Sequence, residues 1–411
     1  MKVLVLHNRY RLPGGEDGTF RAETAMLRSQ GIDVMVHQTD NGEENGALTS
    51  AAETLWHSAW SQKSHDEIRR ICDRFQPDVA HTHNFWMRLS PSVHDACHAS
   101  GAATVQTLHN FRLFCVNALF LRNGKVCQDC LGKVPWRGVV RKCYRHSVVA
   151  SAATAAMITA NRRRQTWNND VDAFIALTDH SRAQFIAGEL PPDRIFVKPN
   201  FIPDTGEPVC SPSESDLIVY AGRLAVEKGV NILLSAWARN KLSRLGRLLV
   251  VGDGECRRSL ERQASALGLQ PPEVVFAGAR SATEIPALIA HARAMVLPSL
   301  YFECFPLNVL EAFANGRPLV ASAHGALEEL VRDGEVGLTA PPGDIAALGA
   351  ALERLLRDDD LADTLGRQAR VEYLTRYTEK ENCKQLLQIY DFARRRVSSL
   401  ASRKAIPAVS G

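Results

Sequence analysis

The sequence predicts two doubly wound α/β domains in tandem, and three observations carry that prediction. Short β-branched apolar runs alternate with longer amphipathic segments along most of the chain. The alternation pauses once, over a stretch rich in Pro, Ser, Gly and Glu from Pro199 to Ser215, and then restarts. At 411 residues the chain is too long for one ordinary core, so length alone argues for two domains.

In the first half, Lys2–His7, Asp33–Gln38, Asp78–Thr82, Thr104–His109, Asp172–Thr178 and Arg194–Lys198 read as strands. Helices are expected over Thr19–Ser29 and Asp66–Phe75. The near-continuous apolar character of the strands fits a parallel sheet covered on both faces. After the pause come Leu217–Ala221, Leu248–Val251, Val274–Ala277, Ala294–Leu297, Pro318–Ala321 and Gly337–Ala340 as strands. Helices fall between them over Val230–Arg239, Arg257–Leu267 and Val309–Asn315. The boundary is placed near residue 205, giving domains 1–205 and 206–395. A last helix, Glu379–Arg395, has no strand after it and is assigned to the second domain. The tail 396–411 is expected to fray. Open α/β sheets bind ligands beyond the carboxyl ends of their strands, so two such domains facing each other concentrate the chemistry in their strand-end loops.

Composition narrows the class. The chain is 45% hydrophobic and 23% charged, as a globular protein is, and a net charge of +4 over this length is too small to argue for a nucleic-acid binder. The first apolar run is too short for a signal peptide, and Val148–Ala160 is too short and too rich in Ala, Ser and Thr to cross a bilayer. A cytoplasmic setting is therefore expected, peripheral to a membrane at most. There, ten cysteines read as reduced thiols or metal ligands rather than disulfides.

Four strand-end loops hold candidate chemistry. The first, Gly14-Gly15-Glu16-Asp17, leads into a helix whose start favours anions, although it is neither a dinucleotide fingerprint nor a P-loop. The second holds His81, His83 and His109; His109 is expected to face the cleft, and His81 to be structural. The third runs from Gly222-Arg223 to Glu227-Lys228-Gly229, where two cations on a Gly-bracketed loop suit a diphosphate or are merely paired to nearby carboxylates such as Glu227. The fourth is Glu303-Cys304-Phe305-Pro306-Leu307-Asn308-Val309-Leu310-Glu311. A carboxylate beside a diphosphate cannot favourably contact phosphate, so Glu303 and Glu311 are expected to accept hydrogen bonds from hydroxyls. Cations for phosphate and anions for hydroxyls together describe a nucleotide sugar.

On these residues, with Pro199-Asn200, Gly252-Asp253-Gly254 and the Glu-x7-Glu element, the chain resembles the family 4 retaining glycosyltransferases of the GT-B fold. The resemblance implies two Rossmann-like domains, a UDP- or GDP-sugar donor and a glycan or polyprenyl-linked acceptor, without nucleic acid. It implies that Arg223 and Lys228 hold the diphosphate, that Glu303 contacts the transferred sugar, that Glu311 contacts the ribose and that His109 approaches the reacting centre. Gly14, Gly15, Phe305 and Leu307 complete the expected donor site. Cys304 and Pro306 depart from the family, which often has Gly there. No catalytic metal is expected, and no Asp-x-Asp motif is read as its holder. A sugar-nucleotide epimerase and a non-catalytic subunit of the same fold are the competing readings.

The long connection Phe111–Asn169 stands apart. Cys115, Cys127, Cys130 and Cys143 read either as four thiolates for a structural zinc or as separate thiols in a substrate-shaping loop. The same stretch carries Lys133, Arg137, Arg141, Lys142, Arg145, Arg162, Arg163 and Arg164 with no acidic residue among them, and Trp136 and Trp167 near its ends. That is either a solvated face or a docking face for an anionic membrane surface.

Overall fold

A computed structural model describes residues 1–10, 14–40, 57–281 and 283–405. The chain divides into two compact units: Met1–Phe120 with Gln128–Pro199 and Asn382–Gly411, and Leu121–Cys127 with Asn200–Glu381.

The first unit is built on six parallel strands: β1 (Lys2–Arg9), β2 (Asp33–Asp40), β3 (Val79–Asn84), β4 (Ala103–Thr107), then β7 (Ala173–Ala176) and β8 (Ile195–Val197). Their order across the sheet is β2-β1-β3-β4-β7-β8. Between β4 and β7 lie a two-stranded hairpin, β5 (Leu121–Arg122) and β6 (Lys125–Val126), and three helices of the long connection. Val3 to Leu6 and Ala173 to Ala176 are wholly buried, as parallel strands covered on both faces must be. β3 runs two residues past the predicted end, which puts His83 and Asn84 in the sheet, with a register shift against β1 between Leu6 and His7.

The second unit repeats the plan with β9 (Leu217–Ala221), β10 (Arg247–Val251), β11 (Val274–Gly278), β12 (Ala294–Leu297), β13 (Leu319–Ser322) and β14 (Gly337–Ala340), in the order β11-β10-β9-β12-β13-β14. Its core joins Ile218, Val250 and Val296 of the sheet to Leu233, Trp237, Leu352 and Leu355 of the covering helices. Truncating one such Leu to Ala costs about 2–5 kcal/mol.

Two expectations change. The last helix runs from Glu379 to Ala405, into the tail expected to fray; residues 406–411 lie outside the described set. From Asn382 onward it belongs to the first unit, not the second. The reason is its apolar stripe: Leu386, Ile389, Tyr390 and Ala393 are buried, the Tyr390 hydroxyl meets His81 Nδ1 at 2.8 Å, and Phe392 packs edge-on to Phe196 of β8.

Candidate active site

Each sheet reverses its winding once, between β1 and β3 and between β9 and β12. Crevices beyond the strand ends at such points are where open α/β sheets take ligands.

In the second unit, the loop after β9 carries Arg223 and Lys228, and the loop after β12 carries Glu303. Gly229 brings the two together: at φ 70°, a Cβ there would lie 1.9 Å from the Pro298 carbonyl oxygen, so only glycine fits. Gly252 does the same between the loops after β10 and β9, where a Cβ would lie 1.9 Å from Gly222 O. Lys228 Nζ thereby reaches Glu303 Oε1 at 2.7 Å and the Tyr301 hydroxyl at 3.2 Å. Ser299 and Tyr301 donate to the same carboxylate at 2.8 and 2.6 Å. Burial pushes the Glu303 carboxyl up, but Lys228 and the two hydroxyls outweigh it and hold it below its ordinary value. It is an anion with fixed partners.

Arg223 is held more loosely. Its Nη2 reaches Glu227 Oε1 at 2.5 Å, yet the side chain is 49% exposed. The guanidinium is therefore accessible to a phosphate from solvent, although its partner Glu227 is itself buried.

Helix Leu307–Ala314 follows, its start tied to the end of β9 by Asn308 Nδ2 donating to Ala221 O. Pro306 caps this helix and has no N–H, so the departure from Gly removes one main-chain donor. Phe305 is buried, with its ring edge-on to Tyr377, and Leu307 is the first helical residue. Burial alone pushes Glu311 up to about 7.

The first unit answers differently. Helix Gly15–Ser29 begins at the glycine loop, but Gly14 N donates to Asp17 Oδ2 at 2.8 Å, and Asp17 Oδ1 meets His7 Nε2 at 2.8 Å. Gly14 therefore cannot offer its N–H to a phosphate while Asp17 holds it. Gly15 opens a first turn that already carries two acids, Glu16 and Asp17. This removes the Gly14 N–H from the expected donor site; Gly15 is not engaged in this way.

Glu16 is the larger surprise. It accepts from Asn84 Nδ2 at 2.8 Å, and burial, reinforced by Asp17, pushes its carboxyl up to about 8. Beside it, His83, Asn84, Trp86, His109, Asn110 and Arg112 border a small cavity. His109 stacks on His83, with its Nε2 3.1 Å from His83 Nδ1. Burial drives His109 down to about 3, so it is a neutral hydrogen-bonding group at working pH rather than a charged acid. His81 is structural, both ring nitrogens being taken by Tyr390 and Thr107.

Among the described residues, Glu23, His81 and His83 form the one group with metal-ligand spacing within 4.8 Å. An ammonium is already there: Lys198 Nζ lies 2.5 Å from Glu23 Oε1 and 3.0 Å from Asn382 Oδ1. With His81 fully engaged as well, the group is a buried ion-pair network and not a metal centre. Two Asp-x-Asp triplets exist, and each has a member engaged in structure. In Asp170-Val171-Asp172, Asp172 accepts from Thr104 N at 2.9 Å. In Asp358-Asp359-Asp360, Asp358 caps a helix through Leu361 N at 2.9 Å, and Asp359 pairs with Arg293 at 2.6 Å. Of the insert's cysteines, Cys115 donates to Asn117 Oδ1 at 2.9 Å, and burial pushes its thiol up, which opposes the thiolate a metal needs.

Motif reading did not assign Glu16, Asn84, His83 or Tyr301. For Glu16, Asn84 and His83 the signal lies in partners far along the chain, such as Asn84 for Glu16, and no spacing rule reports that; Tyr301 bonds Glu303 two residues on.

Residues 207–372 match the family described as Glycosyl transferases group 1, and residues 22–205 match Glycosyltransferase Family 4. Alpha-D-kanosaminyltransferase of Streptomyces kanamyceticus is 34% identical over 177 residues, 42% of this chain and 45% of that protein. Glycogen synthase of Mycobacterium tuberculosis is 35% identical over 179 residues, 43% of each chain. The chain thus matches less than half the length of either relative. Among solved structures, sucrose-phosphate synthase from Thermosynechococcus elongatus aligns with a TM-score of 0.71 at 21% identity, over 97% of this chain and 100% of that one. Anabaena Alr3699/HepE in complex with UDP-glucose aligns with a TM-score of 0.62 at 19% identity, over the same shares. These likenesses establish two parallel-sheet α/β domains of the GT-B kind with a C-terminal helix. Matched in its two halves by consecutive patterns of one enzyme class, the chain belongs to the group 1, family 4 glycosyltransferases.

Proposed function

We propose that the protein transfers a hexose-type sugar from a UDP- or GDP-sugar to a hydroxyl of a glycan or polyprenyl-linked acceptor, in cell-surface polysaccharide synthesis. The observation that supports this reading is the set of cations and carboxylates gathered at the strand ends of the second unit. We read the exposed Arg223 and the positioned Lys228 as the cations for a diphosphate, and Glu303 and Glu311 as the acceptors for hydroxyls. The UDP-glucose held by the Anabaena protein supports the donor class.

In this reaction the bond from the anomeric carbon to the phosphate oxygen breaks through an oxocarbenium-like state, its electron pair leaving with the nucleotide diphosphate. Arg223 and Lys228 stabilise that charge as it develops, which removes the need for a catalytic metal. Glu303 fixes the transferred sugar by its hydroxyls, Glu311 takes the ribose, and neutral His109 donates to the sugar. The leaving phosphate accepts the acceptor hydroxyl's proton on the face it vacates, so configuration is retained. The proposed setting is the cytoplasmic face of a membrane; no helix among the described residues is long and apolar enough to cross one. A structural zinc on Cys115, Cys127, Cys130 and Cys143 stays a separate proposal, with Cys115 its weakest ligand.

A panel of nucleotide sugars read by thermal shift, followed by donor hydrolysis and transfer assays, tests the function. Stabilisation by one nucleotide sugar and nucleotide release dependent on Arg223 and Lys228 are expected. Isomerisation of donor alone without nucleotide release assigns an epimerase. Donor binding with no turnover towards any acceptor assigns a non-catalytic subunit.

A further inference from the structure

The long connection of the first unit displays an apolar knob that the reaction does not use. Helix Trp136–Val140 carries Gly138 on its inner face, where a Cβ would lie 2.6 Å from a Val116 methyl carbon. At 100° per residue, Trp136 and Val140 fall on the opposite face, and they are 59% and 69% exposed. Val134 just before this helix, and Val148 and Val149 opening the helix Val148–Arg164 that packs on it, are exposed as well. Among the described residues, five of the thirteen exposed large apolar side chains fall within this one stretch, so the cluster is not scatter. Trp167, by contrast, is buried against Phe85 and His94 and takes no part.

The knob is ringed mainly by cations, with Asp129 the acid beside them, 4.0 Å from Arg137. Lys133, Arg137, Lys142 and Arg145 are exposed, and no Asp or Glu occurs from Cys130 to Asn169. Arg141 is drawn back to Asp129 at 2.5 Å. The ring is also bolted to the candidate site. The Arg112 guanidinium lies over the Tyr144 ring at 4.6 Å and over the Trp86 ring at 5.1 Å, and Arg112 follows His109 by three residues in the same loop.

We propose that this knob docks on an anionic lipid bilayer, with Trp136, Val140 and their valine neighbours in the headgroup region and the four cations at lipid phosphates. The charge chooses among occupants. A second copy would bring like charge against like charge, and a neutral apolar partner would leave the basic ring unmatched. An anionic bilayer satisfies both parts at once, because interfacial aromatics suit the headgroup boundary and cations suit its surface. The docking itself stands without the transfer reading. Its consequence, that a lipid-linked acceptor is presented beside the His109 loop, rests on that reading.

Co-sedimentation of the full chain with vesicles tests it, using phosphatidylcholine alone and equal parts phosphatidylcholine and phosphatidylglycerol. Binding to the anionic vesicles only is expected, weakening as salt rises. Arg137→Glu with Lys142→Glu should lower partitioning at least tenfold, since each cation contributes roughly fivefold. Trp136→Ser should lower it several-fold, and Trp136→Phe should remove the lipid-induced blue shift of tryptophan emission. All three variants should keep the wild-type thermal midpoint and donor hydrolysis, which separates this proposal from the transfer reading. Equal binding to both vesicle types, binding to neither, or variants that bind as wild type would each overturn it. Capture by an acidic polypeptide without vesicle binding would assign the knob to a protein partner instead.

Discussion

The two units share a sheet plan but solve opposite electrostatic problems at their strand ends. In the second unit Lys228 against Glu303 and Arg223 against Glu227 stay charged as pairs, although both carboxylates are buried. In the first unit the corresponding groups are buried into neutrality: His109 is driven down to about 3 and Glu16 up to about 8. A site that holds a diphosphate must keep formal charge, whereas one that only orients hydroxyls is better served by neutral donors and acceptors. The comparison teaches that similar strand-end loops become ionic or neutral according to whether a desolvated group meets an opposite charge: Glu303 is buried but has Lys228 at 2.7 Å.

The sharpest way to break the comparison is to remove the two cations one at a time. Lys228→Ala and Arg223→Ala should each lower transfer by roughly 10²–10³. They should differ in stability: Lys228→Ala strips buried Glu303 of its cation and costs up to about 3–5 kcal/mol, while Arg223→Ala leaves the thermal midpoint near wild type. Equal thermal midpoints would show that the Lys228–Glu303 pair is no more structural than the Arg223 pair.

Next in size is the first unit's buried pair, Lys198 with Glu23, both almost without exposure. Lys198→Met should destabilise by about 3–5 kcal/mol, and adding Glu23→Gln should recover much of the loss, measured by denaturant titration. A double variant as unstable as the single one would show that the network is needed for more than charge balance.

Titration then sharpens the contrast. Glu16 keeps its proton in the fold up to about 8, while the unfolded chain ionises it near 4.5. The folded state therefore holds the extra proton between those values, so this contribution to stability falls as pH rises from about 4.5 to 8. Glu16→Gln should flatten that slope in thermal midpoints taken across pH. In the second unit, donor affinity should rise as pH passes through about 7, where Glu311 ionises and becomes the better acceptor for ribose hydroxyls. Glu311→Gln should abolish that dependence, and His109→Gln should leave it intact.

The smallest expected effect concerns metal. If zinc is held by the insert, the purified protein contains it and Cys127→Ser lowers its content. Cys115→Ser should change it least, because that thiol already serves Asn117.

Much of the second unit was legible. Leu217–Ala221, Ala294–Leu297 and Gly337–Ala340 end where periodicity placed them, because doubly covered parallel strands are continuous apolar runs closed by glycine or proline. The motif Gly222-Arg223 to Gly229 was legible too, since a tight approach such as that of Gly229 to Pro298 can be built only with glycine. Less could be read of the first unit. Gly14 and Gly15 announce an anion site, yet the Gly14 N–H is already taken by Asp17, which His7 holds in turn. Trp136 and Trp167 look alike along the chain, yet one is exposed and the other buried.

By itself, then, the sequence determined the tandem α/β plan, the order of its strands along the chain and the cation and carboxylate motifs of the second unit, because these depend on local periodicity and on residues close in sequence. Only the tertiary structure decided which unit the last helix covers, that His109 is neutral, that Glu16 keeps its proton and that Gly14 is spent. Each of these follows from burial against groups far along the chain, and desolvation is a property of the packed environment and not of spacing.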